Sequence, residues 1–300
     1  MSKLLFTVFT PTYNRAHTLG RVYQSLLAQT FTNFEWLIVD DGSSDGTEEL
    51  VNGFTSEGRI AIRYFQQPNG GKHVAFNRGV CEARGELFLA FDSDDACSPV
   101  ALERFHARWF SIPDSNRMEF SGITCLSEDV NGNVIGGNLP LDFIDGYPYH
   151  VTSRYRLKGD KWGFHQTRIL KNYLFPVFPA ELFVPESLIW NRIGRVYKIR
   201  FVNEALHKAY YQKDGLSASS VKIRRSSPNA TFLYYSEAIN IKFSVKLIDR
   251  LRMAVNLWRF ALHSKQWPRI FKIRRHFFLL MFGFFGGLAF SLIDKIKWRN

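Results

Sequence analysis

Three aspartates, Asp92, Asp94 and Asp95, directly follow the apolar run Phe88–Phe91. Such a run is typical of a buried strand in a parallel sheet that is covered on both faces. Carboxylates crowded at the end of a strand repel one another unless a positive group lies between them. They could hold a divalent cation, which takes carboxylate oxygens and shares its remaining positions with substrate phosphates. The alternative from these residues alone is a solvated turn that caps a helix starting near Ser98-Pro99.

The elements that must position this turn alternate over the first hundred residues. Helix patterns separate four apolar runs that predict strands, at Leu4–Thr10, Phe34–Val39, Ile60–Phe65 and Glu86–Phe91. This alternation predicts an α/β fold with a mostly parallel, Rossmann-like sheet flanked by helices. Ligands of open α/β sheets bind beyond the carboxyl ends of the strands. We therefore expect one site where three polar turns meet, at Pro11–Arg15, Asp40–Ser44 and Asp92–Asp95.

Two common phosphate-binding motifs do not occur in this stretch of sequence. Gly70-Gly71-Lys72 is followed by His73, whereas a P-loop has Ser or Thr there and a further glycine upstream. The turn Pro11–Arg15 after the first strand contains no glycine, whereas a dinucleotide-binding strand is followed by G-x-G-x-x-G. The sequence thus argues against a P-loop and against a dinucleotide-binding fold.

The composition favours a chain with a packed core. Of the 300 residues, 46% are hydrophobic and 16% are aromatic, which argues against disorder. The three cysteines, Cys81, Cys97 and Cys125, form no CxxC pair and suit a reducing compartment. The first residues run directly into a strand pattern, so we expect no secretory signal.

The basic residues concentrate towards the C-terminal end. The chain has a net charge of +12, and residues 242–300 carry 13 Lys or Arg against two acidic residues, Asp249 and Asp294. The Ser-rich, basic segment 217–229 predicts a linker, and the later run Phe277–Ile293 is uncharged. Basic residues flank that run on both sides, which favours a hairpin or an in-plane insertion at a membrane surface. The alternative is a pair of core helices that caps the domain.

Four segments together resemble the family 2 glycosyltransferases, which have the GT-A fold. They occur in the family's order and spacing within the first hundred residues, at Thr10–Asn14, Leu37–Thr47, Asn69–Gly79 and Phe91–Asp95. The resemblance implies a nucleotide-sugar donor, usually a UDP-sugar, bound by this half of the chain. It also implies Mn²⁺ or Mg²⁺ at the family's Asp-x-Asp element, which here is Asp92-Ser93-Asp94.

The resemblance assigns donor-binding roles to residues at matching positions. Pro11, Tyr13 and Asp41 would hold the base and the ribose. Asp41 would accept a hydrogen bond from the uracil ring N–H, which suits an ionised carboxylate. Lys72 and Asn77 would lie near the donor, where a lysine suits a diphosphate as a point charge. For Asp41 the alternative is a turn residue, and for Lys72 it is a solvated loop lysine.

The aspartate turn would hold the diphosphate and its cation. The resemblance implies Asp94 as the direct metal ligand, with Asp92 and Asp95 as further candidates. Asp92 and Ser93 would also contact the donor. The cation would neutralise the charge that builds on the leaving UDP.

Glu186 is the candidate general base. Family members carry an acidic residue four positions before a tryptophan, and Glu186 stands four before Trp190. Here Glu replaces the family's Asp, and Pro185 precedes it in place of Glu. Pro185 predicts a helix start with Glu186 in the first turn, where an acidic residue also complements the helix dipole. The resemblance implies that Glu186 deprotonates the acceptor hydroxyl in one inverting displacement. It also implies a polar turn over the diphosphate, near Asn203-Glu204 and Tyr210–Ser217.

These patterns predict a GT-A catalytic domain at 1–217 and a basic, Phe-rich helical region for membrane association at 218–300. The predicted function is metal-dependent sugar transfer to a saccharide, or a polyprenyl-linked saccharide, in cell-surface polysaccharide biosynthesis. The predicted location is the cytoplasmic face of the cell membrane. A nucleotidyltransferase of similar fold would need glycines in the turn 10–15. A nucleic-acid-binding protein would spread its charge over a folded face, so we expect no nucleic-acid partner.

Overall fold

The structure is a computed structural model that describes residues 3–210, 220–241, 246–273 and 276–297. The chain divides into two compact units. Unit 1 comprises residues 1–175 and 189–212, and unit 2 comprises residues 176–188 and 213–300. Each unit has a hydrophobic core of its own.

The first half of unit 1 has the predicted alternation of strands and helices. In chain order it contains β1 (Phe6–Thr12), α1 (Ala16–Leu27), β2 (Phe34–Asp40), α2 (Thr47–Glu57), β3 (Ile62–Gln66), α3 (Lys72–Glu82) and β4 (Leu87–Ala90). The four strands are parallel and lie in the order β3-β2-β1-β4. β1 and β2 are buried along their whole length, as expected for central strands covered on both faces. The four predicted strands are confirmed.

The second half of unit 1 extends the same sheet. It contains β5 (Ala96–Cys97), α4 (Ala101–Phe110), α5 (Asp114–Arg117), β6 (Phe120–Glu128), β7 (Phe143–Gly146), α6 (Pro148–Tyr155), β8 (Lys161–Gln166), α7 (Thr167–Leu170), the end of α8 (Ser187–Ile193) and β9 (Lys198–Lys208). The strand order continues β4-β8-β6-β9-β5, and β7 pairs with β9. β8 is antiparallel to both β4 and β6, whereas β6 and β9 are parallel. The predicted α/β sheet is confirmed, and its second half is mixed.

Aromatic side chains pack against the first half of the sheet. Tyr23 of α1 lies between Trp36 of β2 and Phe54 of α2, with the Tyr23 and Phe54 ring centroids 4.0 Å apart. Trp36 is fully buried, and its indole N–H donates to Thr10 Oγ1 at 2.9 Å. Fully burying one large apolar side chain contributes about 1.5–3 kcal/mol. This core therefore fixes the strands whose carboxyl ends carry the polar turns.

Unit 2 is irregular over residues 176–186 and mostly helical in the described residues from 220 onwards. It contains α9 (Ser220–Ser226), α10 (Pro228–Ala238), α11 (Leu247–His263), a 3-10 helix (Trp267–Lys272) and α12 (Phe277–Lys297). Gly283 and Gly287 let α12 approach α11 closely. A Cβ added at Gly287 would lie 2.4 Å from the Cβ of Trp258.

Contacts between α11 and α12 advance in the same direction along both helices. Arg250 contacts His276, and the Trp258 indole N–H donates to the Leu280 carbonyl at 2.8 Å. At the other end, Asp294 is bound by two residues of α11, Arg259 and His263. Between these ends, Trp258 packs against Gly287. The two helices therefore run parallel.

Asp294 forms a buried ion pair between these helices. Its carboxylate accepts from Arg259 Nε at 2.7 Å and lies 2.9 Å from His263 Nε2. Burial disfavours the charged carboxylate, but the hydrogen bonds from Arg259 and His263 outweigh it and hold the pKa of Asp294 below its usual value.

The outer face of α12 is apolar and exposed. Within the described ranges, α12 is the one helix long and apolar enough to cross a membrane, judged by length and composition, with a mean hydropathy of 1.9. Phe278, Phe282 and Phe285 are each between 72% and 76% exposed. Helix α12 thus has a small-residue face against α11 and a phenylalanine-rich face towards solvent.

Three local expectations are wrong. Residues 220–229 are not a linker but form α9 and the start of α10. Asn203 and Glu204 lie within β9, because Leu206 continues the buried face of that strand to Lys208. Glu186 lies just before α8, which begins at Ser187, rather than in its first turn. Of the predicted polar turn, residues 211–217 lie outside the described residues.

Candidate functional site

The predicted polar turns meet at the carboxyl ends of β1, β2 and β4. The first two turns are joined by reciprocal hydrogen bonds. Asn14 N–H donates to Ser43 Oγ at 2.8 Å, and Ser44 N–H donates to Asn14 Oδ1 at 2.8 Å. Asn14 has a φ of +51°, a left-handed conformation that asparagine tolerates better than most residues. Lys72, at the start of α3, reaches the third turn, where its Nζ lies 2.7 Å from Asp92 Oδ1.

Asp41 holds the loop that leads into α3. The carboxylate is buried and accepts from Gln67 Nε2 at 2.7 Å, from Gly70 N–H at 3.0 Å and from Gly71 N–H at 2.6 Å. Gly71 has a φ of +89°, which strongly favours glycine there. An ionised carboxylate has about four acceptor positions, so the predicted bond to a base N–H would have to use the remaining one.

Asp40, which had no predicted role, is fully buried beside it. Its carboxylate accepts from Ser43 N–H at 2.8 Å and from the Tyr64 hydroxyl at 2.6 Å. Burial and the Asp40 carboxylate raise the pKa of Tyr64, so this hydroxyl remains a donor. Asp40 therefore stabilises the turn Asp40–Ser44 through hydrogen bonds inside the protein.

Asp92 is the paired member of the aspartate turn. Burial disfavours its charge, but the Lys72 ammonium outweighs this and lowers the pKa of Asp92. The Lys72 and Asp92 side chains are 32% and 46% exposed, so the pair lies open to solvent and to ligands.

Asp94 carries the least compensated charge of the three. Burial raises its pKa to about 6, and the neighbouring carboxylates of Asp95 and Asp92 add to the effect, against a smaller opposing contribution from Arg15. Arg21 Nη1 donates to the main-chain carbonyl of Asp94, not to its carboxylate. The turn thus presents an excess of negative charge at this one side chain.

Asp95 is held by residues from the end of β9. Its Oδ2 lies 3.1 Å from His207 Nε2, and its Oδ1 accepts from Tyr210 N–H at 2.8 Å. His207 Nδ1 lies 3.0 Å from Ser127 Oγ, and its ring stacks on Trp162 with centroids 5.0 Å apart. Both oxygens of Asp95 are therefore engaged within the fold.

The donor set of this turn fits a hard divalent cation. Among the residues that the structure describes, no group of three or more His, Cys, Asp or Glu is arranged to hold a metal ion. Such an ion would rely on Asp94 and one neighbouring carboxylate, with substrate phosphates as further ligands, an arrangement that is common for Mg²⁺. A cation there would favour the ionised form of Asp94, whose charge the fold alone destabilises.

The remaining predicted donor residues have different surroundings. Pro11 is buried in β1, Ser93 is buried in the aspartate turn, and Tyr13 is 49% exposed. Between Pro11 and Tyr13, Thr12 Oγ1 is buried without a hydrogen-bond partner among the described residues. Asn77 binds the main chain of Phe175, donating to its carbonyl and accepting from its N–H, both at 2.8 Å.

Glu186 belongs to unit 2, where it is exposed and lies one residue before α8. In unit 1, the His165 ring stacks on Trp190 with centroids 4.9 Å apart. Burial lowers the pKa of His165 to about 4, so this imidazole is neutral at neutral pH. Its Nδ1 has no hydrogen-bond partner in the described part of the chain.

Several residues that build the site had no predicted role, apart from Tyr210, which begins the predicted polar turn Tyr210–Ser217. Arg21, His207 and Tyr210 contact the aspartate turn, and the Arg21 guanidinium lies 3.7 Å from the centroid of the Tyr210 ring. His73 is buried beside Lys72, and neither ring nitrogen has a partner among the described residues. Burial lowers the pKa of His73, against an opposing effect of Asp41. The one sequence feature that could have placed His73 at the site is its position directly after Gly70-Gly71-Lys72.

Comparison with known proteins gives consistent matches. Residues 7–115 match the family described as Glycosyl transferase family 2. An uncharacterized glycosyltransferase of Rickettsia conorii is 40% identical over 243 residues, which are 77% of this chain and 38% of that protein. TuaG of Bacillus subtilis, whose name assigns it to teichuronic acid biosynthesis, is 31% identical over 128 residues, which are 42% of this chain and 50% of TuaG. The chain thus spans half or less of the length of these relatives.

Two solved structures have the same fold. Staphylococcus aureus TarS (1–349) in complex with UDP-GlcNAc has a TM-score of 0.63 and 21% identity, covering 86% of this chain and 72% of that one. The mannosyltransferase PcManGT from Pyrobaculum calidifontis, in complex with GDP-Man and Mn²⁺, has a TM-score of 0.59 and 16% identity, covering 97% of this chain and 87% of that one. At these identities the likeness confirms the predicted GT-A fold. The four motif segments, the fold and the matched family model identify residues 7–115 as a glycosyltransferase family 2 domain.

Proposed function

We propose that this protein transfers a sugar from a nucleotide-sugar donor, a UDP-sugar, to a saccharide carried on a membrane lipid. The reaction is a single inverting displacement at the anomeric carbon, and it serves cell-surface polysaccharide biosynthesis. The relatives support this assignment, because TuaG is named for teichuronic acid biosynthesis and TarS was solved with UDP-GlcNAc.

The observation that carries the proposal is the uncompensated charge of Asp94 at the point where the polar turns meet. The pKa of this carboxyl is raised to about 6 because burial, Asp95 and Asp92 all disfavour its ionised form. Carboxyl groups with a perturbed pKa at the carboxyl ends of the strands of an α/β sheet are typical of functional sites. Mn²⁺ or Mg²⁺, when bound here, supplies a positive charge for the diphosphate of the leaving nucleotide.

The side chains of unit 1 bind and orient the donor. The exposed Tyr13 ring is available to stack on the base, and Asp41 keeps the loop at Gly70-Gly71 against the end of β2. Lys72 is paired with Asp92. When the donor binds, the Lys72 ammonium also contacts the donor phosphates and its contact with Asp92 weakens. These residues keep the leaving group in place while the sugar is transferred.

Glu186 accepts the proton of the acceptor hydroxyl. An exposed glutamate is accessible to a large acceptor. It holds this proton on a carboxylate oxygen while the new glycosidic bond forms. This role rests on its position four residues before Trp190, as in the family.

The acceptor is lipid-linked and the enzyme works at the cytoplasmic face of the membrane. The exposed phenylalanines of α12 support this part of the proposal, because they give the helix an apolar face of the kind that inserts into a membrane interface. The excess of Lys and Arg in residues 242–300 adds an attraction to anionic lipids.

Donor binding and turnover test the proposal directly. The full chain is incubated with a panel of UDP-sugars and a GDP-sugar, with Mn²⁺, Mg²⁺ or EDTA, and nucleotide release and calorimetric binding are measured. We expect one UDP-sugar to bind and turn over in the presence of the cation. Asp94→Asn should lower turnover by about a hundredfold or more, since a metal contributes several kcal/mol of transition-state stabilisation.

Asp114→Asn is the matched control, because Asp114 is a surface carboxylate of α5 that pairs with Arg117. It should leave turnover unchanged. If the wild-type chain neither binds nor hydrolyses any donor of the panel, the proposed function is wrong. If EDTA and Asp94→Asn leave turnover intact, the metal-dependent form of the mechanism is wrong.

A further inference from the structure

Unit 2 contains a cavity of about 490 Å³ that lies apart from the aspartate turn in sequence and has no predicted role. Its walls are part apolar and part polar, and they come from the segment before α8, from α10 and from the 3-10 helix region (Phe178, Asn229, Phe232, Leu233, Ser236, Asn240, Gln266, Arg269 and Ile273). This volume is within the range of about 300–1,000 Å³ that is usual for small-molecule sites.

A chain of hydrogen bonds positions the one cationic side chain in this wall. The buried Glu181 carboxylate accepts from Asn229 Nδ2 at 2.7 Å and from the N–H groups of Asn229 and Ala230 at the start of α10. Asn229 Oδ1 then accepts from Gln266 Nε2, and Gln266 Oε1 accepts from Arg269 Nη1 at 2.7 Å. The side-chain amides of Asn229 and Gln266 therefore each use both the N–H₂ group and the carbonyl oxygen in hydrogen bonds. These bonds hold Arg269 in place.

Among the residues that the structure describes, Arg269 has no acidic counterion. The lining contains no acidic residue, and Arg269 forms no ion pair with an acidic side chain of the described residues. In the described part of the chain one of its five N–H donors binds Gln266, which leaves further donors for a ligand. Arg269 is exposed as well as part of the lining, so its guanidinium lies at the open side of the cavity. A planar guanidinium at such a position matches a phosphate group.

The surroundings of the cavity indicate that this phosphate belongs to a lipid. Trp267 and Phe271 are 48% and 68% exposed, and they share the 3-10 helix with Arg269 and Lys272. Exposed aromatics interleaved with basic residues are typical of a segment at the membrane–water interface. Phe232 and Ile273 give the cavity apolar walls, which suit the first carbons of a lipid rather than a free anion.

We propose that this cavity binds the phosphate head group of a single anionic lipid, with Arg269 on the phosphate and the apolar wall on the adjoining chain. The inference extends the proposed membrane association to a defined lipid site, and it does not depend on glycosyl transfer. The site lies wholly within unit 2, so nucleotide binding by unit 1 can be followed separately in the same samples.

Binding of a water-soluble lipid to the full chain tests the site without a membrane. Dihexanoyl phosphatidic acid, used below its micelle concentration, is titrated by calorimetry beside inorganic phosphate and dihexanoyl phosphatidylcholine. We expect phosphatidic acid to bind at least about tenfold more tightly than either control, because only it offers both an accessible phosphate and a chain.

Three single substitutions each lower the net charge by one and so separate a site from general attraction. Arg269→Gln removes the phosphate contact, and Asn240→Asp places a negative charge in the wall. Lys272→Gln is the matched control, because Lys272 lies on the same 3-10 helix but does not line the cavity. The first two should weaken phosphatidic acid binding about tenfold, whereas Lys272→Gln should change it less than about twofold.

Folding is checked for each variant by circular dichroism and the thermal midpoint, and UDP-sugar binding is measured in parallel. Equal losses for Arg269→Gln and Lys272→Gln would overturn the site in favour of unspecific attraction. Equal affinity for inorganic phosphate and phosphatidic acid would overturn the lipid assignment. Lipid binding that persists while no nucleotide binds would contradict only the proposed function, and the converse would contradict only this inference.

Discussion

The ionised carboxylate of Asp94 is destabilised by its surroundings in the folded chain. Its pKa is raised to about 6 because burial and the neighbouring carboxylates disfavour its charge. A raised pKa in the folded chain means that Asp94 stabilises the fold below pH 4, and that this contribution is lost as the pH rises through about 6. The fold thus tolerates at neutral pH a charge that a bound cation would compensate.

We predict that Asp94→Asn stabilises the protein at pH 7.5 and has little effect near pH 3.5. Asparagine has a similar shape but cannot ionise, so it removes both the cost of burying the charge and the repulsion from Asp95 and Asp92. The gain should be about 1–2 kcal/mol, which is less than the pKa shift alone implies because the site is partly solvated. Denaturant unfolding at several pH values measures it. A gain that is the same at both pH values would show that the ionised carboxylate is not the cause.

Asp92→Asn should act in the opposite direction. The Lys72 ammonium lowers the pKa of Asp92, so its charge stabilises the fold at neutral pH and this contribution is lost as the pH falls through that lowered value. We expect a loss of up to about 1 kcal/mol at pH 7.5, since the Lys72–Asp92 pair is partly exposed. The same unfolding series measures it, and a stabilised Asp92→Asn would contradict the role of the pair.

Glu186→Gln tests the general base without removing a side chain. If Glu186 takes the proton of the acceptor hydroxyl, the substitution should lower the rate of transfer by about 10²–10⁴-fold while donor affinity stays within twofold of wild type. Transfer rate and donor Kd are measured together. Equal falls in both would point to a binding role for Glu186.

At the scale of elements, Asn77 ties α3 to the segment at Phe175. Two hydrogen bonds of 2.8 Å occupy the amide, and Phe175 is buried. We predict that Asn77→Ala lowers the free energy of unfolding by about 1–3 kcal/mol, because it leaves a buried N–H and carbonyl unpaired. Asn172→Ala is the control, since Asn172 donates one exposed bond to Arg168. Thermal unfolding compares the two, and similar small losses would contradict this role.

The packing of α12 on α11 depends on glycine at a particular position. A Cβ at Gly287 would lie 2.4 Å from the Cβ of Trp258 and 2.8 Å from the Val255 carbonyl oxygen. We predict that Gly287→Ala destabilises unit 2 by about 1–3 kcal/mol through this overlap. Gly53→Ala in α2 is the matched control, because no atom lies within 4 Å of its added Cβ. That change should stabilise the chain by about 0.5–1 kcal/mol, and thermal unfolding of both variants measures the contrast.

The strands and turns of the first half could be predicted because their signals are local. Apolar runs mark β1, β2, β3 and β4, and the polar residues after them mark the turns. The contacts that hold Asp95 could not be predicted, since His207 and Tyr210 lie more than a hundred positions away in sequence. The same holds for Asn77 and Phe175, where nothing local indicates the partner. The sequence therefore indicated which polar turns meet, but not the residues that fix their side chains.

At the scale of the whole molecule, we propose that the apolar face of α12 brings the chain to a membrane surface. We predict that Phe282→Ser with Phe285→Ser lowers partitioning into anionic vesicles by about tenfold or more, since burying one phenylalanine contributes about 1.5–3 kcal/mol. Phe110→Ser is the control, because Phe110 is a half-exposed phenylalanine of α4 in unit 1. Vesicle sedimentation at low and high salt measures the partitioning. An unchanged value for the double variant would contradict a membrane role for this face.

The parallel course of α11 and α12 restricts how unit 2 can enter a bilayer. Two helices that cross a membrane one after the other, with a short connection, must run antiparallel. Here α11 is about 25 Å long at 1.5 Å per residue, and the chain must return along that length between the end of α11 at His263 and the start of α12 at Phe277. If both helices spanned the bilayer as a pair, this return segment, with Lys265, Arg269 and Lys272, would have to traverse it as well, at a high cost for each charge. The topology therefore favours a pair that lies along one leaflet, with both chain directions parallel to the membrane plane.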